Sequence, residues 1–208
     1  MIPAGKFITF EGPEGSGKST QAGVITGVLR EKGINAVRTR EPGGVSISEE
    51  LREILLKPGG KINPRTELLL YAACRAQHTE ELIKPALERG DHVICERYTH
   101  ASLAYQGYGR QLDIKLIREL NAIATAGVSP DLTVILDIEP EKGLERVASS
   151  ERTFDRLESE DIEFHRRVRS GYIELASLDP YIEIVDASRD ADTITSDIIA
   201  LFESRQLF

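Results

Sequence analysis

Residues Gly12-Pro13-Glu14-Gly15-Ser16-Gly17-Lys18-Ser19 follow the spacing G-x-x-x-x-G-K-[ST]. Only a glycine-rich backbone turns tightly enough here to aim several N–H groups into one concavity, and that concavity suits a chain of phosphates. Lys18 has the reach for the outer phosphates and the Ser19 hydroxyl is a ligand for Mg²⁺. The flanks agree with this reading. Lys6 to Phe10 reads as a short buried strand, and Thr20 to Lys32 as a helix stopped by Gly33. A strand, a glycine loop and a helix N-terminus form the arrangement that binds anions. The loop and Thr20 after it are therefore the expected contacts of a nucleotide phosphate tail.

The rest of the chain repeats the strand–helix alternation. Further strands are expected at Ala36–Thr39, His92–Cys95, Leu132–Leu136 and Tyr181–Val185, each short and apolar enough for burial on both faces. Asn63-Pro64 is a helix start, with Leu68, Leu69, Ala72 and Ala73 as the apolar face. Pro85 should kink or divide that helical run near Lys84, and Gly90 should end it. Asp113 caps a helix with Leu116, Ile117, Leu120 and Ile123 on one side. Repeated βα units predict one α/β domain over residues 1–208: five parallel strands, helices on both faces, and ligands beyond the carboxyl ends of the strands. A net charge of −8 argues against nucleic acid as the main partner. No apolar run reaches the ~18 residues of a membrane span. The first five residues do not read as a signal peptide. Cys74 and Cys95 lack metal-ligand spacing and read as reduced core residues of a cytoplasmic protein. His78, His92, His100 and His165 show no metal spacing either.

Four polar clusters fall after strands or on helices facing that edge. Thr39-Arg40-Glu41-Pro42-Gly43-Gly44 is turn chemistry by itself, but it lies beside the glycine loop. Tyr71 and Arg75 share a helix face, where a ring and a guanidinium suit a planar base; a snorkelling arginine on an amphipathic helix is the plainer reading. Glu96 and Arg97 end the third strand and suit Mg²⁺ and phosphate, with Ser102, Tyr105 and Gln106 following; an ion pair that ends a strand is the alternative. The stretch from Arg146 to Arg156 reads as a solvated loop or as a lid that closes on phosphates.

In this order and spacing, FEGPEGSGKSTQ, TREPGG, YAACRAQH, ERYTHASLAYQG, LDIEPEKGLER, DRLE and VDAS resemble the thymidylate kinase family along nearly the whole chain. The resemblance implies a three-layer P-loop NTPase fold with a short arginine-rich lid at about residues 146–158. It implies transfer of the γ-phosphoryl group of ATP to dTMP with Mg²⁺, in a homodimer. Carried over by position, Lys18, Arg97, Arg152 and Glu14 are the catalytic candidates. Arg75 is expected on the thymine edge, Tyr71 stacked on the base, and Arg97 on the acceptor phosphate. Glu14 is expected near the 3′-hydroxyl, Tyr105 where a 2′-hydroxyl would sit, and Ser102 and Gln106 in the base pocket. Arg40 and Pro42 are expected beside the acceptor, and Ser19 and Glu96 at the metal. Gly12, Pro13, Glu14, Gly15, Ser16, Gly17, Lys18, Ser19, Thr20, Arg156 and Ala187 are expected on ATP. Three positions depart from the family pattern: Glu96 stands where Asp is usual, Cys74 where Asp or Asn is frequent, and Leu157 where an aromatic is common. Gly15 replaces the loop arginine of some members, which shifts the catalytic arginine to the lid. Another small kinase, or a nucleotide-dependent switch without transfer activity, is the competing reading; Arg75 and Arg97 speak against the switch.

Overall fold

The computed structural model describes residues 5–149 and 153–208. Five parallel strands form one sheet in the order β2-β3-β1-β4-β5: β1 (Phe7–Glu11), β2 (Ala36–Arg40), β3 (His92–Glu96), β4 (Leu132–Asp137) and β5 (Ile182–Asp186). The helices are α1 (Lys18–Glu31), α2 (Ser46–Leu56), α3 (Pro64–His78), α4 (Lys84–Glu88), α5 (Thr99–Ser102), α6 (Ile114–Thr125), α7 (Pro140–Ala148), α8 (Ile162–Leu178) and α9 (Ala191–Ser204). One core packs Ile8, Phe10, Val134 and Leu136 of the sheet against α1 and α9 through Ile25, Leu29, Ile198 and Phe202. On the other face Ile135 and Ile182 pack with Leu68, Ile117, Val168 and Tyr172 of α3, α6 and α8. This is the expected three-layer architecture, because successive strand residues point to opposite faces and both faces are apolar.

The central strands β1, β3 and β4 are buried almost throughout, but β2 and β5 alternate buried and exposed residues. The expectation that all five would be buried on both faces therefore fails at the sheet edges, where a neighbour covers only part of the strand. The helical run is not broken at Pro85, which sits in the first turn of α4. Proline has no N–H to donate, and Thr79–Ile83 between α3 and α4 relaxes into a π-helical turn. The caps are also where the sequence puts them: Asn63 accepts from Arg65 N at 3.0 Å and Asp113 from Lys115 N at 2.8 Å.

Two apolar faces are not as expected. On α3, Leu69 and Ala73 face solvent, while the buried face carries Glu67, Leu68, Tyr71, Cys74, Arg75 and His78. On α6, Ile117 and Asn121 point inward, and Leu116 and Ile123 are exposed. Local periodicity assigns charged residues to water, and here tertiary partners have taken them inside. Cys74 and Cys95 are free and buried.

Candidate active site

All five strands run the same way, so their carboxyl ends share one edge, and there a cavity of about 490 Å³ opens. Its walls come from the glycine loop, from Arg40, Glu41 and Pro42 after β2, from Tyr71 of α3, from Glu96 and Arg97 at the end of β3, and from Ser102, Tyr105 and Gln106. Leu103–Gly109 is a π-helical turn following α5, which swings Tyr105 and Gln106 onto the same wall as Ser102.

Within the loop, Glu14, Gly15, Gly17, Lys18, Ser19 and Thr20 line the cavity. Gly12, Pro13 and Ser16, also expected on the phosphates, are not among the lining residues. The Lys18 ammonium donates to Gly12 O (3.1 Å), Pro13 O (2.7 Å) and Ser16 Oγ (3.2 Å). Burial, reinforced by the Arg97 charge, outweighs the carboxylates of Glu14, Glu11 and Glu96 and brings the Lys18 pKa down to about 7. Gly15 has φ +68, and a Cβ there would lie 2.0 Å from Gly143 O of α7. A Cβ on Gly143 would in turn lie 2.1 Å from Glu14 O. The loop and α7 touch backbone to backbone, which explains why this loop has no room for an arginine at Gly15.

Ser19 Oγ donates to Glu96 Oε2, so the two expected metal ligands meet although they are 77 residues apart. Arg38, which sequence reasoning passed over, grips the other carboxylate oxygen through Nε (3.1 Å) and Nη2 (2.8 Å), and also donates from Nη2 to Ser19 O at 2.9 Å. A hydroxyl and a carboxylate are hard oxygen donors, the kind Mg²⁺ takes when phosphates supply its remaining ligands. Among the described residues no three His, Cys, Asp or Glu side chains gather as a metal cluster.

Arg97 lies against the same loop, where its Nη1 donates to Gly12 O at 3.4 Å and its Nη2 meets Glu14. Arg97 Nη2 donates to both Glu14 oxygens at 2.9 and 2.8 Å, and Tyr105 Oη donates to Glu14 Oε1 at 2.8 Å. The guanidinium also lies over the Tyr105 ring, 4.6 Å from its centroid. Burial pushes the Glu14 carboxyl up, but the charges of Arg97 and Lys18 and the Tyr105 hydroxyl overcome it and bring its pKa down to about 2. Arg97 sits at φ 66, a left-handed backbone that a non-glycine residue holds only when its surroundings enforce it. The enforcement is visible. Arg97 N donates to Phe10 O at 2.9 Å, and the buried Glu11 carboxylate accepts from Tyr98 N (2.7 Å), Ala101 N (3.2 Å) and Tyr172 Oη (2.7 Å). Glu11 was not singled out from the sequence. Its signal was there: an acid at the carboxyl end of a strand, next to the glycine loop.

Arg75, Arg156 and Ala187 are placed differently from the expectation. Arg75 does not line the cavity. It is buried, and its donors go to Glu41 Oε2 (2.9 Å), Ser102 Oγ (3.0 Å), Asn121 Oδ1 (2.6 Å) and Tyr98 O (2.8 Å). It thus braces the wall that Ser102 and Glu41 present to the cavity. The same Glu41 meets His78 Nδ1 at 3.1 Å, and His78 Nε2 meets Thr39 Oγ1 at 2.7 Å, so the Thr39–Gly44 turn is pinned to α3. Arg156 is buried against Glu67, away from the glycine loop, because that carboxylate has no access to water and must find cations. Ala187 is a core residue; its N–H bonds to Asp137 O and its carbonyl accepts from Arg146 Nη1 at 2.8 Å. Arg146 itself belongs to α7, so the first residues expected in the lid are helical. Arg152 lies outside the described residues. Arg40 lines the cavity, and its Nη2 donates to both Glu49 carboxylate oxygens at 3.0 and 2.9 Å.

A family model described as thymidylate kinase matches residues 10–198. The chain is 49% identical over 201 residues to a protein named thymidylate kinase from Pelotomaculum thermopropionicum, covering 96% of this chain and 93% of that one. A thymidylate kinase of Deinococcus radiodurans is 46% identical over 202 residues, with 97% and 98% covered. Among solved structures, the crystal structure of a thymidylate kinase from Ehrlichia chaffeensis superposes with a TM-score of 0.78 at 34% identity, covering 96% of this chain and 99% of that one.

Proposed function

This chain belongs to the thymidylate kinase family, and on that footing we propose that the cavity at the strand ends is where it transfers the γ-phosphoryl group of ATP to dTMP, giving dTDP and ADP. The observation that carries the assignment of the site is one cavity in which two basic side chains converge beside the glycine loop: Lys18 Nζ and Arg97 Nη1 both donate to Gly12 O, at 3.1 and 3.4 Å.

Phosphoryl transfer spreads negative charge over the moving group, so the protein acts by positioning and by fixed positive charge. Lys18 and the loop N–H groups hold the donor phosphates. The Arg97 guanidinium takes oxygens of the acceptor phosphate in place of the two Glu14 oxygens that its Nη2 now holds. Glu14 then turns to the sugar hydroxyl. Ser19 and Glu96 would hold Mg²⁺, with Arg38 fixing the carboxylate; the ion neutralises phosphate charge. Arg152 is the proposed lid arginine.

Base choice follows from Gln106. Its Nε2 donates to the buried Glu67 carboxylate at 2.8 Å, which leaves its carbonyl oxygen for the cavity. Thymine and uracil carry a donor at N3, whereas cytosine carries an acceptor there and meets oxygen with a lone pair. Tyr71 supplies the flat surface. The 5-methyl group contributes only about 0.8 kcal/mol of burial, so discrimination against dUMP is modest.

We also propose a cytoplasmic homodimer. Leu69 on α3 and Leu116 and Ile123 on α6 are exposed, Ile123 by 77%, and these two helices pack side by side. Such a stripe is what a second copy would cover. Both cysteines are unpaired, in keeping with a reducing compartment.

The test is an ATP-coupled assay over all nucleoside monophosphates with Mg²⁺. dTMP should give the highest kcat/KM; a higher value for any other monophosphate overturns the substrate assignment.

A further inference from the structure

The four residues Glu67, Gln106, Arg110 and Arg156 meet inside the wall behind Tyr71. Glu67 is fully buried in the first turn of α3. Its Oε1 accepts from Gln106 Nε2 (2.8 Å) and Arg110 Nε (3.3 Å), and its Oε2 from Arg110 Nη2 (3.1 Å) and Arg156 Nη1 (2.6 Å). Arg110 also reaches Glu160 at 2.6 Å, so two guanidinium groups are balanced by two carboxylates. Arg156 carries two further anchors: Nε donates to Leu55 O at 2.8 Å, and its backbone N to Leu56 O at 3.3 Å. Arg156 Nη2 is buried without a hydrogen-bond partner among the described residues.

The neighbours of Arg156 point the other way. Asp155, Leu157 and Glu158 line the cavity, as do Leu56, Tyr71 and Gln106 on the wall to which Arg156 is tied. Glu67 and Tyr71 are four residues apart on α3, so the buried carboxylate sits one turn from the ring that faces the base. Arg156 therefore has its charge committed inside the wall, while its segment of chain forms one side of the acceptor chamber.

We propose that Arg156 is a positioning residue for acceptor binding: it latches segment 155–158 to the acceptor wall through Glu67, and it makes no contact with phosphate. This rests on the reading of the cavity as the dTMP site. Glu67 is the shared hub. It orients Gln106 toward the base and holds Arg156 at once, so the base pocket and the segment across from it keep a single spacing. A phosphate-binding arginine would act on ATP and on turnover; a latch acts on the affinity of the acceptor.

The experiment measures the dissociation constant for dTMP by calorimetry, and KM for dTMP, KM for ATP and kcat, in wild type, Arg156→Met, Arg156→Lys, Glu67→Gln and the Glu67→Gln/Arg156→Met double variant. Met has a similar length and leaves Glu67 its bonds to Arg110 and Gln106, so the fold should survive; a thermal melt checks this. Loss of a charge-assisted bond in the wall should weaken dTMP binding roughly ten- to hundredfold, with KM for ATP within about twofold and kcat within about threefold. Arg156→Lys should recover part of the affinity, and the double variant should be little worse than either single one, as expected of one unit. Unchanged dTMP affinity in Arg156→Met, or a fall in kcat with a raised KM for ATP, overturns the latch while leaving the dTMP assignment standing. Failure of the wild type to bind dTMP overturns the substrate assignment and the latch together.

Discussion

Replacing Glu14 by Gln should cost the free protein a definite amount of stability, with a definite pH dependence. In the folded state Glu14 is 13% exposed in its side chain, accepts from Arg97 Nη2 on both oxygens and from the Tyr105 hydroxyl, and has its pKa lowered from 4.5 to about 2. Each pKa unit is ~1.4 kcal/mol, so the ionised form contributes about 3 kcal/mol relative to the unfolded chain. Because the folded pKa is the lower one, this contribution is complete above pH 4.5 and is lost as the pH falls toward 2. At pH 3 about half of it, roughly 1.4 kcal/mol, remains. Glu14→Gln keeps the shape and removes the charge, leaving Arg97 without its partner. Urea unfolding should therefore show a loss of about 3 kcal/mol at pH 7, equivalent to roughly 6–12 °C in Tm for a chain of this size, and a smaller loss at pH 3. A loss below about 1 kcal/mol at pH 7, or one that does not shrink on acidification, would refute the view that Arg97 and Tyr105 hold Glu14 ionised.

Three further outcomes are expected. Burial brings the Lys18 pKa down to about 7 and bound phosphate should raise it again, so ATP binding at pH 8 should be accompanied by net proton uptake; calorimetry in buffers of different ionisation enthalpy reads this, and no uptake contradicts it. Tyr105→Ala should narrow the kcat/KM preference for dTMP over its ribose counterpart, whereas Tyr105→Phe, which keeps the ring and loses only the bond to Glu14, should retain it; equal ratios in wild type and Tyr105→Ala would move sugar selection elsewhere. If the proposed dimer forms through the α3–α6 stripe, Ile123→Glu should give a monomer in size-exclusion chromatography with light scattering while leaving the melting temperature within a few degrees, since Ile123 is 77% exposed within the chain; an unchanged mass would refute the stripe as the interface.

Much of this protein was legible in the residues themselves. A G-x-x-x-x-G-K-S loop between an apolar run and a helical one dictates a strand, an anion cradle and a helix N-terminus, because only glycine tolerates that backbone. Asn63-Pro64 and Asp113 act through bonds to residues at most a few positions away, so helix starts were readable too. The parallel sheet followed from alternation, and the family motifs named the chemistry.

What only the tertiary structure decided is the buried polar scaffold. Glu11, Glu41 and Glu67 are nearly or fully inaccessible, and their partners Tyr172, Arg75 and Arg156 are 161, 34 and 89 residues away. A pattern of apolar residues along one helix cannot report such pairs. It assigns Glu67 and Arg75 to solvent and Leu69 to the core, and on α3 the reverse is true. The same long-range pairing takes Arg75 and Arg156 out of the cavity where their positions in the motifs had put them. A buried charge is stable only with a partner across the fold. Which arginines face the ligand, and which hold up the wall behind it, is therefore settled by distances that the order of residues does not contain.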